Sequence, residues 1–103
     1  MRSASVLMHG IPSGLLEEHQ PGGPWTYRYL ESYTGPPISL TLPLQREEYS
    51  FAAFPPFFDG LLPEGVQLEA LLRQNKIDRK DCFSQLVAVG KDLVGAVTVE
   101  EMQ

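Results

Sequence analysis

Apolar and polar residues alternate with the two-residue period of β-strands through much of the first half of the chain. Residues 4–9 form a predicted strand, and residues 15–19 form its return strand in a hairpin. Residues 25–30 are a third predicted strand, since β-favouring aromatic residues alternate there with other side chains. Stretches rich in glycine and proline separate these strands and predict turns between them.

The most regular alternation lies in residues 38–44, with the sequence ISLTLPL. Four branched apolar side chains fall on one face and Ser39, Thr41 and Pro43 on the other, which predicts a strand. Because Pro43 has no N–H to donate, this part should lie at a sheet edge or near the strand's end. Residues 49–53 fit either a short extended segment or the approach to a helix.

In the second half of the chain the apolar period becomes that of a helix. Residues 57–62 predict a short helix, broken by Gly60 or ended before Pro63. Residues 66–75 predict a longer helix whose leucines share one apolar stripe. That stripe consists of Leu68, Leu71 and Leu72.

A third predicted helix is capped at its start by either Asp78 or Asp81, and Gly90 suits the left-handed position at its C-terminal end. Residues 94–99 predict a closing strand, which we place inside the sheet because it is mostly apolar. This order predicts an α+β fold. Its mainly antiparallel sheet, a hairpin plus further strands, is covered on one face by two or three helices.

With 103 residues the chain has the size of a single domain, residues 1–103. Its net charge of −5 and its scattered basic residues argue against direct nucleic-acid binding. An acidic surface suits a basic partner, although in most soluble domains it serves solubility. The sequence has no membrane-spanning apolar run and no secretory signal, and its one cysteine fits a reducing cytosol. We therefore expect a cytoplasmic protein that does not contact a membrane.

Residues that could support catalysis do not occur in the required spacing. Gly22 and Gly23 lie between prolines, and residues 90–91 lack the upstream glycines of a phosphate-binding loop, so we interpret both as turns. Cys82 and His19 could act as nucleophile and base. However, Cys82 lies on an apolar helical stripe, where a free cysteine is commonly a small buried hydrophobic residue. We predict no catalytic residue, no cofactor and no metal site.

Two aromatic segments have both a structural and a functional interpretation. Trp25, Tyr27 and Tyr29 could stack on single-stranded nucleic acid, but with little positive charge beside them we assign them to a sheet face packed on the core. Residues 54–65 (FPPFFDGLLPEG) could supply core side chains or dock on a partner, because aromatic anchors carry much of the energy of protein interfaces. We expect both in part.

Three segments, taken in order, resemble the N-terminal subdomain of HipA-type serine/threonine kinases, the toxins of bacterial toxin–antitoxin systems. Residues 37–45 (PISLTLPLQ) are similar to the family's PLSLSLPLQ strand. Residues 57–65 (FFDGLLPEG) are similar to FF(D/E)NLLP(D/E), and residues 90–97 (GKDLVGAV) to G(R/K)DxVGAV. Gly60 stands where the family often has Asn, and both residues tolerate a left-handed backbone. The resemblance covers nearly the whole chain.

The resemblance transfers no kinase activity, because the ATP and magnesium sites of HipA-like toxins lie in a kinase core whose motifs do not occur in these 103 residues. It implies instead an arrangement in which the N-terminal subdomain and the kinase are made as separate proteins. These are a small protein (HipS) and a shortened kinase (HipT), which occur beside a helix-turn-helix protein (HipB). The expected function is an antitoxin that binds and neutralises a HipT-like kinase, in a ternary complex with a HipB-like DNA-binding protein. A non-inhibitory scaffolding subunit is the alternative. The polar ending at residues 100–103 disfavours a fragment of a longer kinase.

We place the partner-binding surface in residues 57–64, called here the FFDGLLPE segment, and in the polar residues that precede it. Aromatic, proline and glycine residues are dense in the segment. The polar residues before it could reach a basic groove of the partner. The predicted contact residues are Glu47, Glu48, Phe57, Phe58, Asp59, Leu62, Pro63 and Glu64.

Overall fold

The computed structural model describes residues 1–93 and 95–102 and confirms the α+β class. In this part of the chain the strands are β1 (Arg2–Met8), β2 (Ile11–Glu18), β3 (Trp25–Tyr29), β4 (Glu48–Phe51) and β5 (Val97–Glu101). The helices are α1 (Pro56–Asp59), α2 (Gly65–Asn75) and α3 (Cys82–Val89). All strand pairs are antiparallel, in the order β4-β3-β2-β1-β5. Val94, the first residue of the predicted closing strand, lies outside the described residues.

β1 and β2 form the predicted hairpin, with a tighter turn than the sequence indicated. Met8 pairs with Ile11, so only His9 and Gly10 connect the strands. Their φ angles are 52° and 80°. A two-residue turn with positive φ at both positions matches the right-handed twist of the flanking strands. The return strand therefore begins at Ile11, four residues before its predicted start.

The core lies on one face of the sheet. Phe83 and Leu86 of α3 pack onto that face, with the Phe83 ring stacked on Trp25 at a centroid distance of 6.4 Å. The buried apolar residues of β1, β2 and β3 are Ala4, Val6, Leu16, Trp25, Tyr27 and Tyr29. The aromatic residues of β3 are thus part of the core, as we favoured, and cannot stack on nucleic acid.

The predicted strand at residues 38–44 is wrong, because these residues bend and turn instead. The Leu42 N–H donates to the Ser39 carbonyl at 3.1 Å and closes a turn. This turn changes the period of burial from two residues to four. Ile38 and Leu42 are buried, whereas Leu40 is 95 % exposed.

The hydroxyl of Tyr29, on β3, holds the two ends of this turn. It accepts the N–H of Ile38 at 3.0 Å and donates to the Leu42 carbonyl at 2.5 Å. In a sheet a neighbouring strand would satisfy these two backbone groups, and here one core side chain does so. Burial raises the pKa of Tyr29, so the hydroxyl keeps its proton and remains a donor at neutral pH.

The closing strand β5 lies at an edge of the sheet, so its predicted interior position is wrong. Val97 and Val99 are buried nevertheless. The C-terminal end of α3 covers the outer side of β5, where the Val99 N–H donates to the Gly90 carbonyl at 3.0 Å. The apolar side chains of β5 are therefore buried although, in the described part of the chain, no further strand lies beside it, because the end of α3 covers its outer side.

Gly90 is required for close approach and not for a left-handed backbone. Its φ is −56°, in the right-handed helical region, and a Cβ at this position would lie 1.9 Å from the Val99 carbonyl oxygen. Gly60 also has a right-handed φ, of −65°. The left-handed role that we assigned to Gly90 is therefore wrong, and the left-handed backbone that a glycine tolerates is not used at Gly60.

Asp81 caps the N-terminus of α3, which decides between the two predicted candidates. Its carboxylate accepts the Ser84 N–H at 3.1 Å. Arg2 binds the same carboxylate at 2.9 Å and that of Glu18 at 2.6 Å. The Arg2 guanidinium also lies 4.6 Å from the centroid of the Phe83 ring. One arginine at the start of β1 therefore joins β1, β2 and α3.

The middle of the chain follows the predicted order. Residues 49–53, left undecided by the sequence, lie partly in β4, which ends at Phe51. The short helix is α1, which begins one residue earlier than predicted, at Pro56, where a missing N–H costs no helical bond. It ends at Asp59 with Gly60 as its C-cap, which is the first of the two predicted endings. The longer helix is α2, and among the described residues no helix has the length and apolar character needed to cross a bilayer.

Candidate interaction surface

The FFDGLLPE segment lies over β3, and its second phenylalanine belongs to the core. Phe58 is 0 % exposed, and its ring centroid is 5.8 Å from that of Tyr27. Phe57 packs edge-on against Phe58 at 5.1 Å and is half-buried. The predicted contact role of Phe58 is therefore corrected, because its side chain cannot reach a partner while the domain is folded.

Leu62 and Pro63 form a ridge between two shallow depressions of the surface. The first, of about 380 Å³, is also lined by Gly60, Leu61, Gln67, Val89, Asp92 and Leu93. The second, of about 220 Å³, is also lined by Asp59, Glu64, Leu68, Arg79, Cys82 and Gln85. Both residues of this Leu62–Pro63 ridge are half-buried, so the ridge is anchored to the domain and still presents apolar surface.

Carboxylates lie at the rim of the second depression. Asp59 and Glu64 are both exposed there. Arg79, which also lines the depression, is paired with Glu69 of α2. A positively charged group of a partner would therefore meet two carboxylates beside the apolar ridge.

Cys82 does not have the environment of a nucleophile. Burial, together with the charges of Asp59 and Asp81, raises the pKa of its thiol, which disfavours the reactive thiolate. His19 is instead hydrogen-bonded through Nε2 to the Thr26 hydroxyl at 2.9 Å. Within residues 1–93 and 95–102, no three His, Cys, Asp or Glu side chains group as metal ligands.

Helix α2 extends the apolar surface beyond the predicted contact residues. All its residues are half-buried or exposed, and Val66 in its first turn is 85 % exposed. Val66 lies two residues after the FFDGLLPE segment in sequence and outside the leucine stripe of α2. A valine outside the apolar stripe of a helix indicates an exposed apolar side chain, and Val66 is not among the predicted contact residues.

Of the two predicted glutamates, Glu48 within β4 is the one that the sheet places apart from the FFDGLLPE segment. Pairing of β3 with β4 sets Glu48 opposite Arg28, and Tyr49 opposite Tyr27. Because successive strand residues point to opposite faces, Tyr49 shares the core face with α1, and Glu48 lies on the other face. Glu47 and Glu48 are both exposed. Glu48 is thus on the sheet face opposite the FFDGLLPE segment, whereas Glu47, paired with Tyr29, is on the same side as Tyr49.

Comparisons with known proteins agree with this fold. The model of the family described as the HipA N-terminal domain matches residues 4–100. The chain is 32 % identical over 101 residues to an uncharacterized protein of Haemophilus influenzae, covering 98 % of this chain and 93 % of that protein. A solved structure described as the N-terminal domain of HipA toxin matches with a TM-score of 0.78 and 27 % identity. That match covers 100 % of this chain and 94 % of the other.

The domain is thus an α+β module of the type that forms the N-terminal part of HipA toxins. The chain belongs to the HipA N-terminal domain family, which confirms the resemblance seen in the sequence. The match is to this domain and not to a kinase domain, so it assigns no catalytic residue to the chain.

Proposed function

We propose that this chain is an antitoxin that binds and neutralises a separately encoded HipA-like (HipT-type) serine/threonine kinase, and that it has no enzymatic activity itself. Two facts support this: the family is that of the HipA N-terminal domain, and the 32 % identical protein of Haemophilus influenzae is matched over 93 % of its own length by this domain alone. In the family that the chain resembles, this domain and the kinase core belong to one polypeptide. A domain that packs on a kinase within one chain has a surface that also fits a kinase made separately.

The Leu62–Pro63 ridge is the observation that carries the proposal. It is apolar, it lines both depressions, and Val66, 85 % exposed, extends the apolar surface. The carboxylates of Asp59 and Glu64 border it. An apolar centre with a polar rim is the usual composition of a specific protein interface, which buries about 800 Å² on each partner.

Charge supports a partner with a basic surface. The chain has a net charge of −5, and opposite charges on two surfaces speed their encounter and select the correct partner. Binding would neutralise the kinase by covering its nucleotide or substrate cleft, or by stabilising an inactive arrangement. A HipB-like helix-turn-helix protein would complete the complex and supply its contact with DNA.

The proposal is tested with the purified chain and the kinase encoded beside it. Calorimetry measures binding, and autophosphorylation of the kinase is measured with and without the chain. Leu62→Asp should weaken binding at least tenfold and restore phosphorylation, because a carboxylate in an apolar interface loses its hydration. Leu40→Asp is the matched control, since Leu40 is 95 % exposed on a different loop and should bind as the wild type does.

A second variant avoids any disturbance of packing, because Leu62 also contacts the core. Asp59→Lys combined with Glu64→Lys changes two exposed side chains and should also weaken binding. Growth of cells expressing the kinase then separates the antitoxin from a non-inhibitory scaffolding subunit. Rescue by this chain alone supports the antitoxin, whereas rescue only by the helix-turn-helix protein supports the scaffold. A wild-type chain that does not bind the kinase, or that hydrolyses ATP, would contradict the proposal.

A further inference from the structure

The two edges of the sheet differ in how well they are covered. At the β5 edge the outward-facing Val99 N–H donates to the Gly90 carbonyl at 3.0 Å. The absence of a side chain at Gly90 lets the end of α3 lie directly against the strand, since a Cβ there would be 1.9 Å from the Val99 oxygen. An additional strand therefore cannot pair along the middle of β5.

At the β4 edge the outward-facing backbone groups are open. The Tyr29 N–H donates to the Glu47 carbonyl at 2.9 Å, and the next hydrogen-bonded position along β4 is Tyr49, because antiparallel ladders alternate. The N–H and C=O groups of Glu48 and Ser50 therefore point away from β3. Among residues 1–93 and 95–102, no other backbone group bonds to these four.

We propose that an extended, basic segment of the partner kinase adds to β4 as a sixth strand, an inference that rests on the proposed antitoxin function. The open groups of Glu48 and Ser50 have the two-residue spacing that an extended backbone matches, and strand addition to a sheet edge is a common mode of peptide recognition. Arg28 lies opposite Glu48 on β3, but among the described residues no ion pair joins them, so the exposed carboxylates of Glu47 and Glu48 favour Lys or Arg at facing positions of the added strand. Glu47 and Glu48 thus have a function distinct from that of the Leu62–Pro63 ridge.

Charge argues against a second copy of this chain as the occupant. Two antiparallel β4 strands would bring the Glu48 carboxylates of both copies near each other, and each copy carries a net charge of −5. Like charges on an edge strand oppose its pairing with itself. A basic segment meets the same edge with opposite charge.

The first test removes one of the open N–H groups. Ser50→Pro should weaken kinase binding at least tenfold, while the ladder to β3 stays intact, because proline is tolerated on edge strands where the N–H faces outward. Ser50→Ala keeps the N–H and should bind as the wild type does. Glu101→Pro makes the same change at an outward-facing position of β5 and should also leave binding unchanged.

Amide hydrogen exchange in the wild-type complex gives a measurement that does not depend on how a variant folds. The Glu48 and Ser50 amides should exchange at least tenfold more slowly when the kinase is bound, and the Glu101 amide should keep its rate. Unchanged exchange at Glu48 and Ser50, or wild-type affinity of Ser50→Pro, would overturn strand addition and leave the antitoxin function standing. Failure of the wild-type chain to bind the kinase would overturn both proposals.

The basic character of the added segment is tested by reversing the charge of the edge. Glu47→Lys combined with Glu48→Lys should weaken kinase binding at least tenfold at low salt, and less at high salt where charges are screened. Equal affinity of this variant and the wild type would overturn a basic segment as the occupant. So would a wild-type dimer, seen by analytical ultracentrifugation, that Ser50→Pro dissociates.

Discussion

Helices α2 and α3 each have an apolar face, but they bury it to different depths. In α3, Phe83, Gln85 and Leu86 are buried, whereas every residue of α2 is half-buried or exposed. α3 is held at its start by the pair of Arg2 with Asp81 and at its end by the contact with β5. α2 packs against α3. An apolar stripe in the sequence therefore predicts which side of a helix faces the domain, but it does not predict how much of that side is buried.

This difference separates the part of the molecule that holds the fold from the part available to a partner. α3 and Phe58 fill the core, whereas α2, Val66 and the Leu62–Pro63 ridge leave apolar area in water. Each Å² of such area costs about 25 cal/mol, which a partner that covers it would regain. Substitutions in the first region should lower stability, and substitutions in the second should lower binding.

The largest effect is expected for truncation of the core side chains. Phe58→Ala and Leu86→Ala should each lower the free energy of unfolding by about 4 kcal/mol, because both residues are 0 % exposed and truncation leaves a cavity. Urea denaturation followed by circular dichroism measures this. A loss below about 1 kcal/mol at Phe58 would show that this residue is not core and would reopen its predicted contact role.

A smaller but still large effect is expected at the end of α3. Gly90→Ala should lower the free energy of unfolding by about 3 kcal/mol, since the added methyl group would collide with the Val99 carbonyl. Gly10→Ala is the comparison for a glycine with open space but a φ of 80°, where the cost comes from the backbone alone. If Gly90→Ala were as stable as the wild type, the close contact of α3 with β5 would be wrong.

The starts of the two helices should respond differently to loss of a carboxylate. Asp81→Ala should cost about 1 kcal/mol, because the carboxylate caps α3. Glu64→Ala should cost less than about 0.5 kcal/mol, since among the described residues no side chain caps the N-terminus of α2. Thermal denaturation of both variants checks the order, and equal losses would contradict it.

The contribution of Asp81 to the free energy of unfolding should also depend on pH. Burial alone would raise its pKa, but hydrogen bonds from Arg2 and Ser84 outweigh this and lower the pKa below its ordinary value of 3.8. Folding therefore favours the charged form. The stability difference between the wild type and Asp81→Ala should be complete above about pH 4 and should shrink as pH falls through the lowered pKa. A difference that grew on acidification would contradict this sign.

The smallest effect on stability is expected at the surface of α2. Val66→Ser should change the free energy of unfolding by less than about 0.5 kcal/mol, because Val66 is 85 % exposed. The same variant should bind the kinase several-fold more weakly, as measured by calorimetry. Unchanged binding would remove Val66 from the interaction surface and confine that surface to the Leu62–Pro63 ridge and its rim.

Most elements could be predicted from the sequence, whereas of the predicted contact residues the sequence could not tell which are buried. The hairpin, β3, α2 and the cap of α3 follow from local periods and from short-range hydrogen bonds. The contact roles of Leu62, Pro63 and Glu64 stay a prediction made from the density of aromatic, proline and glycine residues, and the structure leaves all three side chains at least partly exposed. The burial of Phe58 and the separate position of Glu48 were not predictable, since both depend on which sheet face meets α1.

By itself, the sequence determined the periods of β1 to β3 and α2, the α+β order and the family motifs, because these depend on residues near one another in the chain. Only the tertiary structure decided that residues 38–44 turn, that β5 lies at an edge, and that Gly90 is a contact glycine. Each of these outcomes depends on a distant partner: the Tyr29 hydroxyl for the turn, the end of α3 for the β5 edge, and the β5 strand for Gly90. A local pattern can match two backbone conformations equally well, and the backbone groups adopt the one in which distant atoms complete their hydrogen bonds.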